Sequence, residues 1–152
     1  MPQPFKDLTV LENCVAAALF AGNVKDEELA KAYILDILKL VGLYEKKEEL
    51  ARKLGIVDAK RLELARCLSQ NPKLVLLDEC GAGLSSFEIE EFTSILKAIS
   101  KKGVTILMIE HIMSIIEEVA QRVYCMVAGE IIGEGPLKKV LSDEKVIKSY
   151  LG

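Results

Sequence analysis

The chain has 152 residues and a mass of 16.8 kDa, the size of one domain, long enough to bury one moderate core. Hydrophobic residues make up 51% and charged residues 28%, which excludes a disordered chain. With 20 Lys and Arg against 23 Asp and Glu, the net charge of −3 gives no broad attraction for nucleic acid or an anionic membrane surface.

The opening prolines Pro2 and Pro4 disfavour helix, and Thr9-Val10-Leu11-Glu12 fits a capping box that predicts a helix over about 9–21. Its apolar run, Cys14 to Ala21, is far short of the roughly 18 residues a membrane span requires. No basic segment precedes it and no cleavage-like site follows, so the expectation is a cytosolic chain without direct membrane insertion. Gly22-Asn23 closes this helix. Asp26-Glu27-Glu28 opens a second, with Leu29, Ala32, Tyr33, Leu35, Ile37, Leu38 and Val41 as its packing face and Gly42 as its stop. The charged stretch Tyr44 to Lys53 reads as another short helix, anchored by Leu50 and Leu54.

A helix is expected over 58–69, stopped by Asn71-Pro72. Leu74-Val75-Leu76-Leu77 then precedes Asp78-Glu79, which suits a strand buried on both faces. Gly81 and Gly83 mark a loop, Ser85 to Glu88 fits a second capping box, and Ile89, Phe92, Ile95, Leu96 and Ile99 form a helical stripe ending near Gly103. A strand over 105–109 runs into Glu110-His111, and Ile112, Ile115, Ile116 and Val119 imply a further helix. This strand-helix-strand order implies parallel pairing, right-handed crossover and an α/β fold with a mainly parallel sheet. Ala128-Gly129 is a hairpin turn that would end the sheet in an antiparallel pair, and Pro136 and Glu144 begin two short closing helices. Cys14, Cys67, Cys80 and Cys125 form no C-x-x-C pair, so they read as buried reduced thiols rather than zinc ligands.

Asp78 and Glu79 place two carboxylates at the carboxyl end of a strand beside a loop, where ligands collect in open α/β sheets. In nucleotide hydrolases an aspartate there supports magnesium, and an adjacent glutamate polarises the attacking water. Alone, the pair is equally compatible with a solvated strand end. His111, the only histidine, follows one helix and one strand later, where a neutral imidazole could reach a neighbouring carboxylate or a terminal phosphate. The two features together suggest phosphoryl transfer.

The runs Lys60 to Arg66, Asn71 to Lys73, Leu74 to Glu79, Ala82-Gly83-Leu84 and Ile109-Glu110-His111 occur in the order seen in ABC ATPases. The chain resembles the carboxy-terminal part of an ABC-transporter ATP-binding subunit over nearly its whole length. Leu8 to Asn13 and Gly129 to Gly135 are similar to the branched-chain amino-acid importer branch. The resemblance implies that Asp78 is the Walker B aspartate supporting magnesium, Glu79 the catalytic glutamate and His111 the switch histidine. It implies that Gly83-Leu84-Ser85 is the loop crossing the dimer interface. Leu54 to Ala59 stands where the signature Leu-Ser-Gly-Gly-Gln belongs, but Gly55 replaces the serine, Val57 a glycine and Asp58 the glutamine. Val57 adds a Cβ and Asp58 a charge of the same sign as phosphate, although some members of this branch resemble the variant. Cys80 stands where proline is usual.

No G-x-x-x-x-G-K-[ST] occurs in the chain, so the backbone nest and lysine that cradle β- and γ-phosphates are not among its residues. The adenine-stacking aromatic and the nucleotide-sensing glutamine would also fall before Met1. The expectation is therefore a fragment of an ATP-binding subunit: residues 1–57 as a Q-loop remnant and helical subdomain, and 58–152 as the carboxy-terminal half of the core. In the complete subunit the resemblance implies ATP and Mg2+, a second ATP-binding subunit, and membrane subunits that hold it at the inner face of the membrane. For the isolated chain no cofactor is expected. The alternative is a non-catalytic folding or association module, in which a homodimer would cover unpartnered sheet edges.

Overall fold

Thr9 starts the first helix as a capping box requires: its hydroxyl oxygen accepts from the Glu12 amide at 3.1 Å, and the Glu12 carboxylate accepts from the Thr9 amide at 2.7 Å. In the computed structural model, which describes residues 3–21 and 27–151, this helix, α1, spans Val10–Phe20 and buries Val10, Cys14 and Ala18 at four-residue spacing. Asn13 is also fully buried. The expected helix stop at Gly22-Asn23 and the acidic start at Asp26 lie outside the described residues.

The second helix, α2, spans Glu27–Leu40, but its packing face differs from the expected one. Ala30, Ile34, Ile37, Leu38 and Val41 are buried, whereas Leu29 and Tyr33 are exposed and Ala32 is exposed as well. Both stripes have helical spacing, and only the partner surface of α1 and the third helix decides which turns inward. Gly42 ends α2 at a φ of +76°. It adopts a left-handed conformation from which the Leu43 amide reaches the Leu38 carbonyl at 2.8 Å and its own amide the Lys39 carbonyl at 3.2 Å.

The helix expected over Tyr44 to Lys53 is instead two single 3-10 turns, Tyr44–Lys46 and Ala51–Lys53. Between them the backbone straightens to pair with the start of α1, Val10 donating to the Glu49 carbonyl and Ala51 to the Leu8 carbonyl, both at 2.9 Å. Those tertiary bonds outcompete a marginal local helix of this length.

The third helix, α3, spans Ile56–Leu68 with Gly55 as its N-cap, two residues earlier than its first acidic residue suggested. It leads into strand β1, Leu74–Asp78, then helix α4, Ser86–Lys101, strand β2, Thr105–Ile109, and helix α5, Met113–Val119. The strands pair in parallel, Leu74 opposite Thr105 through Asp78 opposite Ile109, so α4 is the crossover. Beneath them Val75, Phe92, Leu96, Ile99 and Ile115 join Ile34, Leu38 and Leu62 in one continuous core.

β1 is covered on one face only, contrary to the expectation of double burial. Val75 is buried, while Leu74 is 50% and Leu76 67% exposed, alongside Leu107 and Ile109 on β2. These four side chains leave an apolar face largely open. An apolar strand shows which residues favour a dry environment, not whether both sides have received one.

The hairpin is also not continuous with the parallel pair: β3, Val123–Val127, and β4, Glu130–Gly135, form a separate two-stranded sheet. Ala128 and Gly129 make its turn with φ values of +50° and +86°. Helix α6, Leu137–Leu141, capped by Pro136, and helix α7, Glu144–Leu151, close the chain. Val140 and Val146 pack on Cys125 in a small second core. No helix among the described residues is long and apolar enough to cross a membrane. All four cysteines are free thiols, Cys14 and Cys125 buried and the other two half-buried.

Candidate functional site

The parallel register brings the predicted site residues to one end of the sheet. Asp78 lies opposite Ile109, so Glu79 and the Glu110-His111 pair leave neighbouring strands at their common carboxyl end. β2 stops at Ile109, the expected end of that strand, and Glu110-His111 follows it directly. Asp78, Glu79 and His111 are all exposed, and no hydrogen bond or ion pair from another described residue occupies the Asp78 or Glu79 carboxylate. Glu79 sits in the left-handed region at a φ of +45°, while its amide extends the ladder to the Ile109 carbonyl at 2.9 Å. For a residue with a Cβ, that backbone costs on the order of 1 kcal/mol.

After Glu79 the chain turns through Gly81, Gly83 and Leu84 to Ser85, whose side chain caps α4 by accepting from the Glu88 amide. Gly83 has a φ of +78°. Gly81 is needed for another reason: a Cβ there would lie 2.5 Å from the Ile115 side chain, 2.7 Å from that of Ile112 and 3.0 Å from a Glu110 oxygen. Replacing Gly81 with Ala is expected to lower stability by about 1–3 kcal/mol, read as a fall in urea midpoint with the slope unchanged.

Two residues that sequence reasoning did not assign hold this loop. Lys60, on α3, donates to the Cys80 carbonyl at 2.8 Å and the Ala82 carbonyl at 2.5 Å. Glu110 receives the Gly81 amide at 2.7 Å and the Cys80 thiol at 3.4 Å on one oxygen. Its other oxygen receives the His111 amide at 3.1 Å and the Ile112 amide at 3.2 Å. Burial pushes the Glu110 carboxyl upward, but these bonds outweigh it and hold the group below the usual carboxylate range. The available signal was the position of Glu110 itself, since a carboxylate three residues before α5 can accept from the amides of the turn that leads into the helix.

The variant signature segment begins α3. A Cβ at Gly55 would meet nothing within 4 Å, so the local fold does not demand glycine there, and Val57 is half-buried. Asp58 is turned into the chain: it pairs with Lys46 and, at 3.7 Å, with Arg61, which also holds Glu91 on α4 at 2.6 Å. Its charge is thus met by two cations of the same chain. The hydrogen bond from Lys46 is also the foremost reason that the Lys46 amine is raised above its ordinary value.

Burial, reinforced by the Glu110 charge, pushes the Cys80 thiol up to about 12. Burial does the same for Cys14, although a hydrogen bond with Ser69 and the nearby Arg66 partly oppose it. The unfolded chain would release these protons from about pH 9, while the folded chain holds them towards 12. In that window the native state binds more protons, so stability falls as pH rises. The urea midpoint is expected to drop between pH 9 and 11, with a shallower slope in the Cys14→Ala, Cys80→Ala double variant.

Among the described residues no cluster of three or more His, Cys, Asp or Glu could hold a metal alone. One or two free carboxylates do fit magnesium, which takes few protein ligands when phosphates supply the rest.

The Asp78-Glu79 strand end, the glycine loop after it and His111 after the next strand thus share one end of the parallel pair. The chain belongs to the ABC transporter family, whose profile it matches over residues 1–82. It is 36% identical to a probable branched-chain amino acid transport ATP-binding protein LivG of Methanocaldococcus jannaschii, across 99% of this chain and 65% of that protein. It is 32% identical to the high-affinity LivG protein of Escherichia coli K12, across 97% of this chain and 64% of that one. Its structure matches the ADP conformation of MJ1267, an ATP-binding cassette of an ABC transporter, with a TM-score of 0.83 and 32% identity, covering all of this chain and 66% of that one. The chain thus spans slightly less than two thirds of the length of the curated relatives it matches.

Proposed function

We propose that this chain contributes the Walker B and switch half of the ATPase site in the ATP-binding subunit of an importer for branched-chain amino acids. The observation that carries this reading is the common placement of Asp78, Glu79 and His111 at the carboxyl ends of two parallel neighbours, with both carboxylates free. Asp78 would hold magnesium, which supplies charge neutralisation at the phosphates when bound. Glu79 is the base that orients and polarises the attacking water, and His111 faces the terminal phosphate. Gly83-Leu84-Ser85 meets a second ATP-binding subunit, while Gly55, Val57 and Asp58 present the variant signature to that subunit's nucleotide. Membrane subunits of the transporter couple closure to solute movement and hold the assembly at the inner, cytoplasmic face. Residues 1–57 form the helical part and 58–152 the core part of this arrangement, even though one hydrophobic core joins them.

By itself the 152-residue chain is read as non-hydrolysing, because none of its residues forms a glycine-rich lysine loop for the phosphates. Titration calorimetry with Mg-ATP is expected to show no saturable binding at a dissociation constant of about 10 μM or tighter, roughly −7 kcal/mol. Mixing the chain with a separately expressed segment bearing the phosphate loop is expected to produce ATP hydrolysis. Tight binding by the chain alone, or a folded mixture that never hydrolyses ATP, would overturn the reading.

A further inference from the structure

Glu110 uses both carboxylate oxygens to join two loops that approach each other only through the fold. One oxygen takes the Gly81 amide and the Cys80 thiol from the loop after β1; the other takes the His111 and Ile112 amides from the turn after β2. The loop after β1 follows Glu79 directly, and Glu79 holds a strained backbone that persists only where its surroundings fix it. The opposite side of that loop is held by Lys60 through the Cys80 and Ala82 carbonyls. Gly81 admits no Cβ between these groups, so the fit is close as well as polar.

We propose that Glu110 is a positioning residue: it locks the segment carrying Glu79 to the segment carrying His111, while Lys60 ties the same segment to the helix that begins with Gly55. This rests on the assignment of Glu79 and His111 to ATP hydrolysis, but the lock itself belongs to the chain without nucleotide. A carboxylate is required because it alone offers two acceptor oxygens to four donors. Glutamine offers one, so whichever way its amide is turned, one pair of bonds fails.

Amide hydrogen exchange on the 152-residue chain tests the lock directly. In Glu110→Gln and Glu110→Ala the amides of Gly81, His111 and Ile112 are expected to exchange at least about tenfold faster, a loss of roughly 1.4 kcal/mol of local protection. The β1–β2 ladder amides should keep their wild-type rates. Lys60→Met, which leaves Glu110 in place, should loosen Ala82 and its neighbours while His111 and Ile112 stay protected. If Glu110→Ala folds and those three amides keep their protection, the lock is overturned; if Glu110→Ala does not fold, Glu110→Gln carries the same comparison. The functional arm uses the chain mixed with a phosphate-loop segment, where Glu110→Gln should lower kcat at least tenfold with KM for ATP within about twofold. Lost protection with unchanged kcat would overturn the positioning role. A wild-type mixture with no hydrolysis would instead overturn the assignment of Glu79 and His111, and the exchange result would then decide the lock alone.

Discussion

Glu79→Gln is expected to lower ATP hydrolysis by the chain and its phosphate-loop complement at least about 100-fold, within the range typical for loss of a positioned general base. Glutamine keeps the size of the side chain and a carbonyl oxygen but cannot accept the proton of the attacking water. Because Glu79 is exposed and its carboxylate is bound by no other described residue, the substitution removes no structural contact. Its urea midpoint should therefore match the wild type within experimental scatter. A steady-state phosphate-release assay checks the loss, and hydrolysis surviving at more than a tenth of the wild-type rate would assign the base to another residue.

Asn13→Ala is expected to cost about 3 kcal/mol of stability, most of it from groups left without partners rather than from lost packing. Asn13 is fully buried. Its amide nitrogen donates to the carbonyls of Phe5, Leu8 and Thr9 at 3.0, 3.3 and 2.9 Å, and its oxygen accepts from the Phe5 amide at 2.8 Å. One side chain thus fastens the segment before α1 to the helix. The same segment is held at Arg66, whose guanidinium lies 4.9 Å from the centre of the Phe5 ring. Thermal unfolding should fall by roughly 10 °C for a chain of this size. A change under 3 °C would show that water replaces the amide without penalty.

What could be read in advance follows the range of the interaction concerned. Both capping boxes and the Ala128-Gly129 turn rest on residues within a few positions of one another, the parallel pair and its crossover through α4 follow from the strand-helix-strand order, and all appear in the structure. The gathering of Asp78, Glu79 and His111 at one sheet end follows from strand order and crossover hand, which are general. The inward face of α2, the 3-10 turns of 44–53 and the separation of the hairpin sheet were not legible, because distant surfaces decide each of them. The same holds within the site. Nothing local announces that Asp58 turns towards Lys46, or that Lys60 reaches the carbonyls of a loop twenty residues on.

The backbone angle at Glu79 bears on how this position can change by mutation. Asparagine and glycine adopt a positive φ more readily than glutamate, so conformational preference at residue 79 opposes the chemistry assigned to it. A lineage that no longer needed hydrolysis would meet a downhill route here, since one substitution could relieve the strain and add stability while removing the base. Glutamate at residue 79 thus stands at a cost to stability that its backbone does not repay, and the chemistry proposed for it would account for that cost.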